Sequence, residues 1–149
     1  MCGASGCWEA YISNLATLSR YFGWHLSKLS PNKLRHAKNG SFTVLDLISR
    51  ARGGDQKAKS AIDSMAHFLG LGLGTIVNVI NPECIYLDGE ITSAWDLIQS
   101  SVTSSLTQRA LTEKGGRTPL RILSTMEHSR LRGAAALIAA PTFAAPRVA

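Results

Sequence analysis

Two cysteines at the start of the chain are the residues best suited to bind a metal. Cys2 and Cys7 are separated by four residues, and the first and last of these are glycines. Glycine adopts the positive φ angles that a tight loop needs, so both sulfurs can face one tetrahedral ion. Because a structural zinc site is almost always four-coordinate, the pair predicts either half of a zinc site or two thiols that bind no metal.

Glu9 lies two residues after the second cysteine, within an apolar-periodic segment. Its carboxylate can accept hydrogen bonds from the hydroxyl groups of a ligand, and a metal bound at Cys7 would fix the backbone beside it. The alternative is an acidic residue that stabilises the first turn of a helix through the helix dipole. Taken alone, Glu9 favours the second interpretation.

A glycine-rich stretch has the spacing Gly-x-Gly-x-Gly at Gly70, Gly72 and Gly74. It follows a helical pattern rather than a strand, and no Lys-Ser/Thr pair comes after it. The stretch therefore matches neither a dinucleotide fingerprint nor a phosphate-binding P-loop. It predicts close packing between helices.

The histidines, the basic residues and the third cysteine indicate no further site. The histidines lack the spacing of metal ligands and are expected at packing or surface positions, and Cys84 is expected to be a small buried hydrophobe in a strand. Few aromatic residues lie among the basic residues. The basic residues therefore predict a solvated surface that does not contact nucleic acid. These residues are His25, His36, His67 and His128, and Lys28, Lys33, Arg35, Lys38, Arg50, Arg52, Lys57 and Lys59.

Hydrophobic periodicity predicts a mostly helical chain with two short strands. Thr43 and Asp46 predict a capping box, while Asp55 and Ser93 can cap later helices. The predicted helices are 8–22, 43–53, 55–81, 93–106 and 133–140, the strands are 84–87 and 120–123, a loop covers 23–40, and a turn covers 115–119. A strand–helix–strand order predicts an α/β fold with a parallel or mixed sheet. Because two strands make a poor sheet, further strands are expected outside this sequence.

The composition of the 149 residues is that of an ordinary globular domain, with 45% hydrophobic residues, 17% charged residues and a net charge of +6. The longest apolar stretch, 68–80, is too short to cross a bilayer, and the first residues lack the regions of a secretory signal. With three cysteines and no export signal, the sequence predicts a reduced, cytoplasmic protein without membrane contact.

Three motifs together resemble the ROK family of repressors, open reading frames and sugar kinases. Positions 2–11, Cys-Gly-x-x-Gly-Cys-x-Glu-Ala-Tyr, are similar to the second half of the family's zinc signature. Positions 81–92, Asn-Pro-Glu-Cys-Ile-Tyr-Leu-Asp-Gly-Glu-Ile-Thr, are similar to its turn, strand and glycine-ended loop. Positions 132–136, Arg-Gly-Ala-Ala-Ala, resemble its closing helix. The motifs span nearly the whole chain in the family's order.

The resemblance implies a role for each matching residue. Cys2 and Cys7 match two of the family's three zinc-binding cysteines, and Glu9 matches the glutamate that hydrogen-bonds a sugar hydroxyl. Met1 stands where the family has the residue between its first two cysteines. The first cysteine and the upstream histidine ligand are therefore absent, and an incomplete zinc site is expected.

Asp88 and Gly89 are the nucleotide-binding candidates that the resemblance implies. ROK kinases have paired glycines in this loop, which let the backbone approach ATP. This sequence retains Gly89 but has Asp88 in place of the preceding glycine. A carboxylate there would repel nucleotide phosphates, which argues against ATP binding, and the continuation Gly-Glu-Ile-Thr resembles the sugar-responsive repressors.

The resemblance implies the helix-rich C-terminal part of a ribonuclease H-like, actin-type ATPase domain over residues 1–140, with an irregular tail at 141–149. The favoured function is a truncated sugar-binding domain of a sugar-responsive transcriptional regulator. The alternatives are a fragment of an ATP-dependent, glucokinase-like ROK sugar kinase and a non-catalytic remnant that packs on a partner. The family's catalytic Asp and phosphate-binding turns cannot be located in the sequence, so the chain alone is expected to be inactive.

The implied partners are a sugar or amino sugar in the full-length protein and the absent N-terminal half. ROK proteins commonly form dimers or tetramers, so a homo-oligomer is a further expectation. In ROK repressors the DNA-reading domain is N-terminal, so this chain is expected to make no direct contact with nucleic acid.

Overall fold

The structure is a computed structural model that describes residues 6–25, 42–123 and 129–143. Most of the predicted loop at 23–40 therefore lies outside the described residues. In chain order the elements are α1 (Glu9–Ile12), α2 (Asn14–Phe22), α3 (Val44–Arg52), α4 (Gln56–Ile80), β1 (Ile85–Leu87), a 3₁₀ helix (Glu90–Ala94), α5 (Trp95–Arg109), α6 (Glu113–Gly116), β2 (Leu120–Ile122) and α7 (Ser129–Phe143).

The starts of α3 and α4 confirm the predicted caps. The Thr43 side chain accepts the N–H of Asp46, and the Asp46 carboxylate accepts the N–H of Thr43, which completes a capping box. Asp55 caps α4 by accepting the N–H groups of Lys57 and Ala58. Asn81 then ends α4 in the left-handed conformation, with φ 49°, which asparagine tolerates better than most residues.

The first predicted helix is divided into two by Ser13. This residue is extended, with ψ 156°, and its side chain accepts the N–H of Ala16. Serine competes for backbone hydrogen bonds in this way at helix starts, so α2 begins anew one residue after Ser13. The single helix predicted over 8–22 is wrong at this point.

The helix after β1 also begins differently from the prediction. The hydroxyl and the backbone N–H of Thr92 both donate to the carbonyl of Gly89, at 2.6 and 3.0 Å. This closes a 3₁₀ helix, and α5 starts at Trp95 after Ala94, which provides no side-chain cap. The prediction that Ser93 caps the helix is therefore wrong.

The predicted turn at 115–119 includes the end of a short helix. Thr112 accepts the N–H of Gly115 at 3.0 Å and so begins α6, which ends at Gly116. The remaining residues of the predicted turn lead directly into β2.

β1 and β2 form a parallel pair, as the strand–helix–strand order predicts, with α5 in the connection between them. Ile85 is paired with Leu120, and Leu87 with Ile122. The side chains of Ile85, Leu87 and Leu120 pack against the helical core. The opposite face of the pair carries Tyr86, which is 60% exposed.

The core is built around α4, which contacts α1, α2, α3, α5 and α6. Met65 of α4, Leu47 of α3 and Val102 of α5 are fully buried. By length and composition α4 is long and apolar enough to cross a membrane, but half of its most apolar 18-residue window is buried within the protein. The core helices of water-soluble proteins share this property.

α7 starts four residues before its predicted beginning and continues to Phe143, three residues past its predicted end. The rest of the predicted tail, 144–149, lies outside the described residues. The division into a domain over 1–140 and a tail remains a prediction.

Candidate functional site

Cys7 lies at the entry to α1, after a sharp turn of the chain. Gly6 has a φ of 80°, a conformation that favours glycine. The carbonyl of Cys7 then accepts the N–H of Ala10 at 2.9 Å, and Cys7 is half-buried. Cys2 lies outside the described residues. Within residues 6–25, 42–123 and 129–143, no three His, Cys, Asp or Glu side chains are grouped to hold a metal ion, and zinc binding remains a prediction.

Trp8 anchors this segment to the middle of α4. Its indole Nε1 donates to the carbonyl of Phe68 at 2.9 Å. The indole ring fills the space that a Cβ on Gly72 would need, so a glycine is required for this approach. The neighbouring Glu9 is thereby held at a defined position on the surface of the core.

Glu9 is the first residue of α1 and is exposed. Two residues later, the ring of Tyr11 packs on Phe68 with centroids 4.6 Å apart. Trp8 and Tyr11 therefore fix α1 from both sides of Glu9, while its carboxylate stays open to solvent. This placement allows hydrogen bonds to a ligand hydroxyl.

Gly70 and Gly74 allow α4 and α5 to pack closely. A Cβ on Gly70 would lie 2.6 Å from the Cβ of Ser105, and one on Gly74 would lie 2.7 Å from the Cβ of Arg109. Real Cβ atoms do not approach this closely. All three glycines of the Gly-x-Gly-x-Gly stretch lie within α4, so the prediction of close helix packing is confirmed.

The loop after β1 places Asp88 and Gly89 at the carboxyl end of the strand, where ligands of open α/β sheets bind. Gly89 has φ 124° and ψ 166°, a region of backbone conformation that is essentially restricted to glycine. The Asp88 carboxylate accepts the N–H of Gly89 at 2.7 Å. The backbone donor that an anion could use is therefore already bound to a carboxylate.

A contact that the sequence pattern did not reveal joins this loop to the N-terminal segment. Asn14, at the start of α2, donates from Nδ2 to Oε2 of Glu90 at 2.7 Å. Asn14 follows Glu9 by five residues, and Glu90 follows Gly89 directly. The sugar-binding and nucleotide-binding candidates thus belong to segments that touch.

An ion pair fixes the 3₁₀ helix that follows the loop. Arg52 donates to both carboxylate oxygens of Asp96, at 2.6 and 3.2 Å, and to the carbonyl of Ser93 at 2.7 Å. The hydrogen bond from Arg52 lowers the pKa of Asp96 and raises the pKa of Arg52 itself. The loop is therefore held between Asn14 on one side and Arg52 on the other.

The other predicted residues take no part in the contacts described above or lie outside the described residues. Cys84 is half-buried and precedes β1 instead of lying within it, which corrects the predicted strand start. His25 is exposed, and His67 Nδ1 lies 2.9 Å from Ser105 Oγ. The residues outside the description are His36, His128, Lys28, Lys33, Arg35 and Lys38.

Four of the eight basic residues considered above are described; all four are exposed, but several have partners in the fold. Arg50 donates to the Tyr21 hydroxyl at 3.0 Å, and Lys57 lies over the Tyr21 ring. Arg52 is paired with Asp96, and Lys59 is exposed on α4. Among these contacts, the carboxylate of Asp96 balances the charge of Arg52.

A cleft of about 620 Å³ lies at the opposite, amino-terminal edge of the strand pair. Its lining includes Asn81, Glu83, Lys114 and Arg117. Of the predicted zinc-, sugar- and nucleotide-binding residues that the structure describes, none lines this cleft.

This chain is similar to curated proteins that include both repressors and kinases. The ROK family model matches residues 1–140. The N-acetylglucosamine repressor of Escherichia coli O6:H1 is 29% identical over 138 residues, which are 92% of this chain and 32% of the repressor. The glucokinase of Halalkalibacterium halodurans is 30% identical over 112 residues, 74% of this chain and 34% of the kinase. The xylose repressor of Bacillus subtilis is 27% identical over 114 residues, which are 76% of this chain and 26% of that repressor.

The chain thus spans about a quarter to a third of the length of these relatives. Among solved structures, the ROK hexokinase from Thermus thermophilus superposes with a TM-score of 0.60 at 21% identity, over 91% of this chain and 41% of the hexokinase chain. This similarity shows the α/β fold of the actin-like ATPases. Because the family model covers nearly all of its residues, the chain belongs to the ROK family.

Proposed function

We propose that this chain is the C-terminal part of the sugar-binding domain of a sugar-responsive ROK transcriptional regulator. The observation that carries the choice is the hydrogen bond from the Gly89 N–H to the Asp88 carboxylate at 2.7 Å. Two of the relatives described above are named as repressors. On this proposal the protein binds a sugar and acts in the cytoplasm.

Asp88 disfavours a nucleotide in two ways. Its negative charge stands at the carboxyl end of β1, where it would repel phosphates. It also accepts the Gly89 N–H, and backbone N–H groups are the donors that phosphate-binding loops use. A regulator that binds sugar without ATP needs neither interaction.

Glu9 is the proposed sugar contact. Its exposed carboxylate stands on a helix that Trp8 and Tyr11 hold against α4. A carboxylate at a fixed position can accept hydrogen bonds from a sugar hydroxyl or amide. The relative named as an N-acetylglucosamine repressor makes an amino sugar the first ligand to test.

Zinc is proposed as a structural ion beside this contact. The turn at Gly6 and the position of Cys7 two residues before α1 fit a thiolate ligand that ends a tight loop. Cys2 would be the second ligand, and the ion would fix the backbone that leads to Glu9. We expect the chain to hold zinc weakly and to lose it in EDTA dialysis, since two ligands do not complete a tetrahedral site. Stoichiometric zinc that the wild type retains after dialysis, and Cys7→Ser does not, would contradict the expectation of weak binding.

The second candidate function is part of a ROK sugar kinase. It is favoured by the glucokinase relative at 30% identity. The chain would then contribute Gly89 to a nucleotide site and Glu9 to a sugar site, and catalysis would need groups outside this sequence. The third candidate, a remnant that only packs on a partner, predicts no effect of Glu9 on any ligand.

One experiment compares these functions in a chimera, in which this chain replaces the matching 138 residues of the E. coli repressor. Glu9→Ala should weaken N-acetylglucosamine binding about 10- to 100-fold, because a hydrogen bond to a charged group contributes roughly 1.5–3 kcal/mol. The control Glu83→Ala, which changes an exposed glutamate at the other edge of the strands, should have no effect. Calorimetry measures both. Equal affinities of Glu9→Ala and the control would remove Glu9 from the sugar site.

The same chimera tests the nucleotide. The wild type should bind no Mg–ATP at millimolar concentration, whereas Asp88→Gly should gain measurable affinity because the charge is removed and the Gly89 N–H is released. ATP binding by the wild type that Asp88→Gly leaves unchanged would favour the kinase instead.

A further inference from the structure

α7 is an apolar helix that has almost no cover in this structure. Leu131, Leu137 and Ile138 are 71%, 79% and 80% exposed. Across residues 131–140 only Ala139 is half-buried, and the others are exposed. Within the described chain, α7 shares no more than isolated contacts with any other element.

The sequence of α7 is that of a buried helix. Between positions 131 and 140 Arg132 is the single charged residue, and a helix that is apolar all round is normally enclosed by protein. At 3.6 residues per turn, its three large side chains lie within an arc of about 120°, and glycine and alanines form the other side. A Cβ added to Gly133 would meet no atom within 4 Å. Both sides therefore lack neighbours.

A membrane does not account for this surface. The apolar run Leu131–Ala140 is about half the roughly 20 residues that span a bilayer. A helix that lies in the membrane surface needs a strongly charged face opposite its apolar face. α7 has only Arg130 and Arg132, both in its first turn, and so lacks that face.

A second copy of α7 also covers too little. A helix of 15 residues is about 22 Å long, and an identical helix packed against it would cover one side only. Stable interfaces bury about 1,200–2,000 Å² in total. Whatever covers α7 must therefore enclose the helix from more than one direction.

The open face of the strand pair also indicates that further polypeptide covers this part of the molecule. Tyr86 is 60% exposed on that face, and its paired residue Arg121 is exposed as well. Parallel sheets are normally covered on both faces. Within residues 6–25, 42–123 and 129–143, an apolar helix and a sheet face are thus left without cover.

We propose that α7 is a docking helix for polypeptide equivalent to the part of the ROK domain that relatives carry outside the matched region. The family match extends to residue 140 and so includes the apolar run of α7. This chain covers only 41% of the hexokinase chain and 32% of the E. coli repressor, so relatives contain enough additional chain to enclose the helix. The proposal rests on the fold and on the exposed surface, and it holds whether the domain binds a sugar, a nucleotide or neither.

The test co-expresses the full 149-residue chain with the E. coli N-acetylglucosamine repressor that lacks its matching 138 residues. A 1:1 complex should co-purify, and Leu137→Asp combined with Ile138→Asp should weaken it at least 100-fold. The matched control is Leu111→Asp, because Leu111 is 83% exposed but lies outside α7. It should leave the complex intact. The thermal unfolding of each free variant should equal that of the wild type, since none of these side chains is buried.

Several results would overturn the proposal. These are the absence of a complex with the wild type, an equal loss in the Leu111→Asp control, and a complex that the α7 variants do not change. Self-association of the free chain that the double variant abolishes would assign α7 to a second copy, and binding to lipid vesicles would assign it to a membrane. No sugar or nucleotide is added, so this outcome is independent of the sugar and ATP measurements.

Discussion

Two apolar helices of the described chain, α4 and α7, have opposite surroundings. α4 is enclosed by five other helices, and Met65 in its middle is fully buried. α7 has a similar apolar character, yet Leu137 is 79% exposed. Composition determines which surfaces must be removed from water, whereas the neighbours present in the chain determine which of them are. We infer that α4 is the core of this unit and that α7 belongs to an interface with other polypeptide.

The largest expected difference between the two helices is the effect of truncating a side chain. Met65→Ala should lower the free energy of unfolding by about 2–5 kcal/mol, because it leaves a cavity in the core. Leu137→Ala should change it by no more than about 0.5 kcal/mol, as exposed substitutions usually do. Urea denaturation followed by tryptophan fluorescence measures both. Comparable losses for the two variants would mean that α7 packs on the core.

Replacing glycine by alanine should have opposite effects in α4 and α7. Gly70→Ala should destabilise the protein by about 1–3 kcal/mol, since the added Cβ has no space against α5. Gly133→Ala meets only open space and should raise the helix content of α7, because alanine is about 1 kcal/mol better than glycine within a helix. Circular dichroism with thermal unfolding reports both changes. A stabilising Gly70→Ala would contradict the observed close packing.

A smaller difference between the core and α7 should appear in their stability at low pH. Hydrogen bonds lower the pKa of three carboxyl groups at core helices: from the Thr43 hydroxyl to Asp46, from the Ala58 N–H to Asp55, and from Arg52 to Asp96. Their folded pKa values lie below the unfolded value of about 3.9. Their contribution to stability is therefore complete above that pH and is lost as the pH falls through the folded values.

α7 contains no acidic residue, so its helix content should not follow this titration. Asp46→Asn should flatten the acid limb of the stability profile for the core and leave α7 unchanged. Unfolding measured between about pH 2 and 6 by fluorescence, with helix content by NMR, provides the comparison. An acid limb of unchanged steepness would exclude Asp46 as a contributor.

The sequence predicted the elements whose signals are local. The capping box at Thr43, the cap at Asp55 and the stop at Asn81 each depend on residues within four positions of one another, and all three were confirmed. The cap at Ser93 failed because Thr92 bonds the carbonyl of Gly89 and closes a 3₁₀ helix first. Competition between two local hydrogen-bonding patterns cannot be resolved from residue types alone.

The geometry of the candidate site could not be predicted, because its contacts join distant parts of the chain. Trp8 reaches Phe68 across 60 residues, and Asn14 reaches Glu90 across 76. Periodicity showed that α1 and α4 are amphipathic or apolar, but it does not determine which faces meet. The motif resemblance selected Glu9 and Asp88, and the fold explains how both are held in place.

Hydrogen exchange of the isolated chain tests the contrast between α4 and α7 most directly. The amides of α4 should exchange only in global unfolding, whereas those of residues 131–140 should exchange orders of magnitude faster, since uncovered helices open locally. Co-expression with the complementary part of the E. coli repressor should slow the α7 amides to rates near those of α4. Equal protection of both helices in the isolated chain, or an α7 that the added polypeptide does not protect, would contradict the account.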